Sequence, residues 1–127
     1  MPNEVSSEVV LDRTAIRNLE KAAVRALEKT GEALHTEVVQ ATVVPRDTGN
    51  LQNEAFFVDM LESAEGEVAL VHSTPYARRL YFHPEYHFHT DKNPEARGEW
   101  YEPWISGENR EFVRRAFAAF LRQEGGV

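Results

Sequence analysis

Apolar positions in the first third of the chain recur at three, four or seven residues, and in the middle third they alternate. Ile16, Leu19, Ala23, Leu27, Leu34, Val38 and Ala41 place one apolar stripe along residues 13–42, the spacing of an amphipathic helix. Asp12 stands where its carboxylate can accept from the first free N–H groups of that helix. The opposite face carries Arg17, Glu20, Lys21, Arg25, Glu28, Lys29 and Glu32. It reads as a solvated face whose like-charge and opposite-charge pairs each matter by tenths of a kcal/mol. Gly31 interrupts the stripe, costs ~1 kcal/mol relative to Ala, and marks either a bend or a close helix approach. A helix of this length spans roughly 45 Å. It is expected to cross the whole domain and to leave part of one face for another subunit. Upstream, Val5, Val9, Val10 and Leu11 predict a short strand over residues 4–11.

Beyond the helix, Ala55, Phe56, Phe57, Val58 and Met60 predict a strand over 51–60. Glu62-Ser63-Ala64-Glu65-Gly66 is a polar turn, after which Val68, Leu70 and His72 alternate with Glu67, Ala69 and Val71. The two segments predict a β-hairpin. Ser73-Thr74-Pro75 has the form of a helix start with Pro at its first position, and a short helix is expected over 76–82. Residues 83–99 are polar and irregular, a loop long enough to be functional or mobile. Trp100, Tyr101, Trp104 and Ile105 return the chain to apolar cover. A final helix is expected over about 108–123, capped by Ser106 or Asn109, with Phe112, Val113, Ala116, Phe117, Phe120 and Leu121 as a broad stripe. Residues 1–4 and 123–127 read as frayed ends. The sum is one α+β domain over 1–127, with long N-terminal and C-terminal helices on a small antiparallel sheet.

Composition narrows the function. An apolar content of 42% and a charged content of 28% fit a soluble globular domain. There is no cysteine, so disulfides and thiolate metal sites are excluded. No window approaches a membrane span, and Met1-Pro2-Asn3-Glu4 lacks the basic and apolar parts of a signal peptide. A net charge of −7 argues against a general DNA-binding surface. It suits a wall past which DNA moves without sticking.

The candidate sites each have a bland reading beside the functional one. Val44-Pro45-Arg46-Asp47-Thr48-Gly49-Asn50-Leu51 joins the long helix to the first strand. Pro45 ends the helix, Asp47 and Thr48 can bond back to the backbone, Gly49 permits a positive φ, and Leu51 returns to the core. Asp47-Thr48-Gly49 also matches the aspartic-protease tripeptide. That chemistry needs the Asp at the end of an apolar strand, facing a second copy, and here Pro45-Arg46 stand in its place. His83, Glu85, His87, His89 and Asp91 form a metal-like cluster, since His87 and His89 would share one strand face. The alternative for the same residues is a His-rich contact surface. Arg78-Arg79 reads either as a carboxylate or phosphate clamp or as one Arg packed over Tyr76 or Tyr81 with the other solvated. Trp100 and Trp104, four apart, serve either core packing or stacking on a ligand. No nucleophile elbow and no Gly-rich phosphate loop is present.

The octet 44–51, followed by Tyr76-Ala77-Arg78-Arg79-Leu80-Tyr81-Phe82, resembles the minor capsid and tail-completion proteins of long-tailed bacteriophages. The likeness extends over roughly residues 5–121. It includes Asp91-Lys92-Asn93-Pro94 and Gly98-Glu99-Trp100-Tyr101-Glu102-Pro103, and departs from the family at Gln52-Asn53-Glu54. Each segment is weak alone, whereas their order and spacing are specific. The resemblance implies an α+β domain with helices on an antiparallel sheet and a homo-oligomeric, hexameric ring at the head–tail junction. It implies contacts with a head-side connector, adaptor or stopper on one end, and with a tail terminator or tail tube protein on the other. DNA would pass through without specific binding. The expected location is the virion, after assembly in the host cytoplasm. No enzymatic activity and no cofactor is implied, and no membrane contact.

An interface centre rich in aromatics and Arg is then expected at Tyr76, Arg78, Arg79, Tyr81, Tyr86, Phe88, Trp100 and Trp104, while Pro45, Asp47, Thr48, Gly49 and Leu51 shape the helix–sheet joint. The 83–99 loop is expected to order on docking. The competing readings are a small metal-dependent hydrolase on His83, His87, His89 and Asp91, and a soluble interaction domain without a virion role.

Overall fold

A computed structural model describes residues 7–45, 56–74, 77–88, 90 and 93–126. Helix α1 (Arg13–Gln40) begins as expected at Asp12, whose carboxylate accepts from Ala15 N at 3.0 Å. It ends where Thr42 adopts a positive φ of 57° and its N–H returns to Val39 O. A hairpin follows, of β1 (Phe56–Asp59) and β2 (Ala69–His72), antiparallel, with Phe56 opposite His72 and Asp59 opposite Ala69. One 3₁₀ turn, Ser63–Glu65, caps its closed end. Then come α2 (Ala77–Tyr81), α3 (Glu102–Ile105) and α4 (Phe112–Gly125). This is the α+β class expected, with long helices at both ends and a small two-stranded antiparallel sheet.

The core gathers at the C-terminal end of α1. Val38, Val43, Val44, Phe56, Ala77, Trp100 and Trp104 are buried together, with Leu34, Leu70, Leu80, Tyr81 and Phe112 packed on them. Along the rest of α1, the fully covered positions are Ala22, Ala26, Thr30 and Gly31, small residues set beside the expected stripe. Small side chains vanish from solvent when neighbouring elements approach closely, whereas the larger Leu27 and Leu34 flank the contact half-buried. Gly31 marks such an approach, but of the hairpin rather than of a helix. A Cβ added there would lie 2.6 Å from Val68 Cγ1 and 3.1 Å from Val58 Cγ1.

Helix α4 lies antiparallel along α1. Glu124 reaches Arg25 Nε at 2.7 Å and Lys29 Nζ at 2.5 Å, and Lys29 also sits over the Phe120 ring. Two cations that repel each other along one helix face are thus bridged by one carboxylate from the other helix.

Three sequence expectations are corrected. Residues 7–12 form no strand; Val9, Val10 and Leu11 are 67–83% exposed, because the start of α1 runs past the end of α4 and nothing described covers them. The last helix begins at Phe112 rather than 108, and neither Ser106 nor Asn109 caps it. Its far end is not frayed at 123: it continues to Gly125, held by the Glu124 bridges, with Gly126 as a left-handed C-cap. The 83–99 loop has no regular element among its described residues, and its end over 93–99 is tied to the rest of the chain. Asn93 is buried and donates to Val44 O at 2.7 Å, Arg97 N to Val43 O at 2.9 Å, and Glu99 N to Tyr81 O at 2.7 Å. Pro45 is buried at the helix exit; Asp47, Thr48, Gly49 and Leu51 lie outside the described residues.

Gly31→Val should destabilise the fold by about 2 kcal/mol through overpacking against Val58 and Val68, read from chemical denaturation; an unchanged midpoint would show that the hairpin does not close on the helix there. A second expectation concerns pH. Hydrogen bonds from Lys29 and then Arg25 hold the Glu124 carboxyl below its ordinary 4.5. A depressed carboxyl stabilises the fold above its unfolded pKa and loses that contribution as pH falls through its folded value. Glu124→Gln should therefore melt below the parent at neutral pH and converge with it in acid, with the gap narrowed by salt.

Candidate functional site

The short helix α2 sorts its residues by face. Ala77 turns into the core and is buried, and Leu80 and Tyr81 are half-buried against it. Arg78, Arg79 and Phe82 are exposed, Phe82 by 63%. The chain then stacks side chains outside the helix. The Arg79 guanidinium lies 6.0 Å from the centre of the Tyr86 ring and donates weakly to its hydroxyl at 3.4 Å. His83 also stacks on Tyr86, with centroids 4.7 Å apart and planes within 8°. His83 Nδ1 donates to Glu85 Oε1 at 2.9 Å, which holds the Glu85 carboxyl below the usual carboxylate range. Phe88 follows at 6.5 Å from Tyr86. Of the two readings of the Arg pair, the packed one describes this geometry, with a different ring. Arg79 covers Tyr86, from the loop, rather than Tyr81.

Beside this strip, β2, α2 and the segment before α3 form a shallow, open cleft of about 370 Å³, lined by His72, Arg78, Tyr81, Phe82, Trp100 and Tyr101 among others. Its walls are edge-to-face aromatics: Tyr81 meets Trp100 at 4.8 Å and 89°, and Phe82 at 5.1 Å and 80°. Such contacts fix ring orientations beyond what burial alone does.

The floor is set by polar geometry. Trp100 Nε1, a donor only, points at His72 Nε2 at 3.2 Å, and the Tyr101 hydroxyl sits 2.6 Å from the same nitrogen. Burial pushes the Tyr101 hydroxyl far above the ordinary phenol range, by more than the Trp100 hydrogen bond lowers it, so it stays protonated and can donate. A bare His72 Nε2 offers one lone pair, which the Tyr101 hydroxyl and Trp100 N–H share, and Trp100 N–H also reaches the Tyr101 oxygen. The imidazole is held from its other side too. Phe56 stacks on it at 4.1 Å and 12°, and His35 lies 4.2 Å beyond Phe56 while donating Nε2–H to Phe56 O at 3.1 Å. Phe56 is thus clasped between two imidazoles, one from α1 and one from β2.

The expected patch is therefore split. Arg78, Arg79, Tyr81, Tyr86 and Phe88 come together on one side of the molecule; Tyr76 lies outside the described residues. Trp100 and Trp104 do not belong to the surface patch: they are 1% and 6% exposed and form core, Trp100 as the inner wall of the cleft. His35 and His72 were not singled out as site residues. Their signal was present in their placement, His35 beside Leu34 on the apolar side of a helix and His72 in phase with Val68 and Leu70. Among the described residues no three His, Asp or Glu side chains converge as a metal site; His89 and Asp91 lie outside them. No described helix is long and apolar enough to cross a membrane. No protein-family model, no curated protein and no solved structure matches the chain.

Tyr101→Phe removes one donor and should cost about 1 kcal/mol, whereas His72→Phe keeps a ring on Phe56 but removes the nitrogen that both Trp100 N–H and the Tyr101 hydroxyl approach, and should cost more, about 2 kcal/mol. Denaturant melts of the two variants check this, and equal costs would mean that His72 Nε2 is not the shared acceptor.

Proposed function

We propose that the chain is a structural subunit of the neck of a long-tailed bacteriophage, forming a ring that joins the head-side connector to the tail. The observation that carries this reading is the ordered pair of segments, Val44 to Leu51 and Tyr76 to Phe82, which resembles the tail-completion and minor capsid proteins in sequence and spacing. The α+β architecture, with a long first helix, a hairpin and a last helix, is the fold class that the resemblance implies. The chemistry of the surface agrees with a scaffold role. Exposed Arg78, Arg79 and Phe82 beside Tyr86 and Phe88 have the composition of an interface centre. The acidic balance of −7 leaves the DNA backbone unattracted as it passes.

A ring subunit works through surfaces, so its activity is position. The expected result is that a tag appended after Val127, visualised by electron microscopy on purified particles, labels the neck as a ring. Intact particles that carry none of this chain would overturn the proposal.

A further inference from the structure

The closed end of the hairpin presents an exposed apolar side chain. Leu61 is 89% exposed, and its backbone is held in place by a bond from its N–H to Asp59 Oδ1 at 3.0 Å. The turn that carries it is acidic. Glu62, Glu65 and Glu67 are all exposed around it, and Ser63 Oγ anchors the turn to Glu28 on α1 at 2.7 Å. This is a fixed apolar knob in a negatively charged collar.

The open end of the same hairpin has the complementary features. His72, at the end of β2, lies on the floor of the 370 Å³ aromatic cleft, whose rim carries Arg78 and the 63%-exposed Phe82. Arg79 lies next to Arg78 on the exposed side of α2. The cleft is apolar inside and cationic at its edge. Being shallow and open, it can receive a side chain that protrudes from another surface.

We infer that Leu61 of one copy of this chain inserts into the His72–Phe82–Trp100 cleft of the next, with Glu62 and its acidic neighbours facing Arg78 and Arg79. Charge complementarity selects a second copy as the occupant: the acidic collar and the basic rim belong to the same sequence. Knob and cleft stand at opposite ends of one hairpin, since the Asp59–Ala69 pair closes it and the Phe56–His72 pair opens it. One copy cannot satisfy itself through a rigid hairpin. A two-fold dimer could also pair each knob with the other's cleft, and the ring reading selects the heterologous alternative, whose repetition closes into a ring or runs into a filament. This inference deepens the ring proposal and rests on it for the choice of a closed assembly.

The test uses the whole chain, followed by sedimentation velocity over a rising concentration series. Leu61→Glu breaks the knob and keeps the cleft; Phe82→Glu breaks the cleft and keeps the knob. Both positions are exposed, and circular dichroism verifies that each variant is folded. The parent is expected to self-associate, each variant alone to remain monomeric, and an equimolar mixture of the two to form a one-to-one dimer and nothing larger. A parent that assembles while Leu61→Glu assembles equally well would overturn the contact and leave the ring reading standing. The same holds for a mixture of the two variants that stays monomeric. A parent that stays monomeric at every concentration would overturn the contact; absence of the chain from intact particles is the separate result that removes the ring reading.

Discussion

The contact between Trp100 Nε1–H and His72 Nε2 ties together parts of the chain that stand 28 residues apart. On one side is the hairpin, which packs on α1 through Phe56, Val58 and Val68. On the other is the segment that leads from the 83–99 loop into α3. A buried indole N–H left without an acceptor costs on the order of 1–3 kcal/mol, which favours the imidazole in a place where its Nε2 can accept. The Tyr101 hydroxyl adds a second bond to the same nitrogen, and Phe56 and His35 fix the plane of the ring. Everything that lines the aromatic cleft takes its position from this small cluster: Trp100 as the wall, Tyr81 edge-on to it, and α2 carried along with its two arginines facing out.

The long helix supplies the second constraint. Its C-terminal half is core, packed with the hairpin, α2 and α3, while along its N-terminal half runs α4, bridged through Glu124, with the turn over Ser63–Gly66 beside it. The close approach at Gly31 sets the hairpin flat against α1, so that its two ends point to different sides of the molecule. The hairpin does this with few residues, because its closed end is a rigid, side-chain-bonded turn and its open end is rooted in the aromatic cluster.

Much of this was legible in the chain. The period of three and four residues located α1, Asp12 located its start, and the alternation from Phe56 to His72 with the polar Glu62–Gly66 turn located the hairpin. Local chemistry determines these features, so a sequence exposes them. What it did not expose depends on contacts between distant residues. The end of α4 reads as a frayed tail until Arg25 and Lys29, nearly a hundred residues earlier, are placed beside Glu124. Trp100 and Trp104 have the composition of an interface, and only the position of His72 and α1 shows that they are interior. His35 and His72 stand in apolar phase, where a histidine has no obvious reason to be; the reason is a ring between them. The stretch over 83–99 looked unanchored because its anchors are single backbone bonds to Val43, Val44 and Tyr81, which no local pattern announces.

The most direct measurement is the nitrogen spectrum of His72 in the uniformly ¹⁵N-labelled chain at mildly alkaline pH. The account predicts a proton on Nδ1 and a bare Nε2, with the Trp100 indole proton shifted downfield and slow to exchange. A proton on Nε2 with a freely exchanging Trp100 indole would contradict it. The cleft would then have no fixed floor, and the arrangement of Tyr81, Phe82 and Arg78 around it would need another cause.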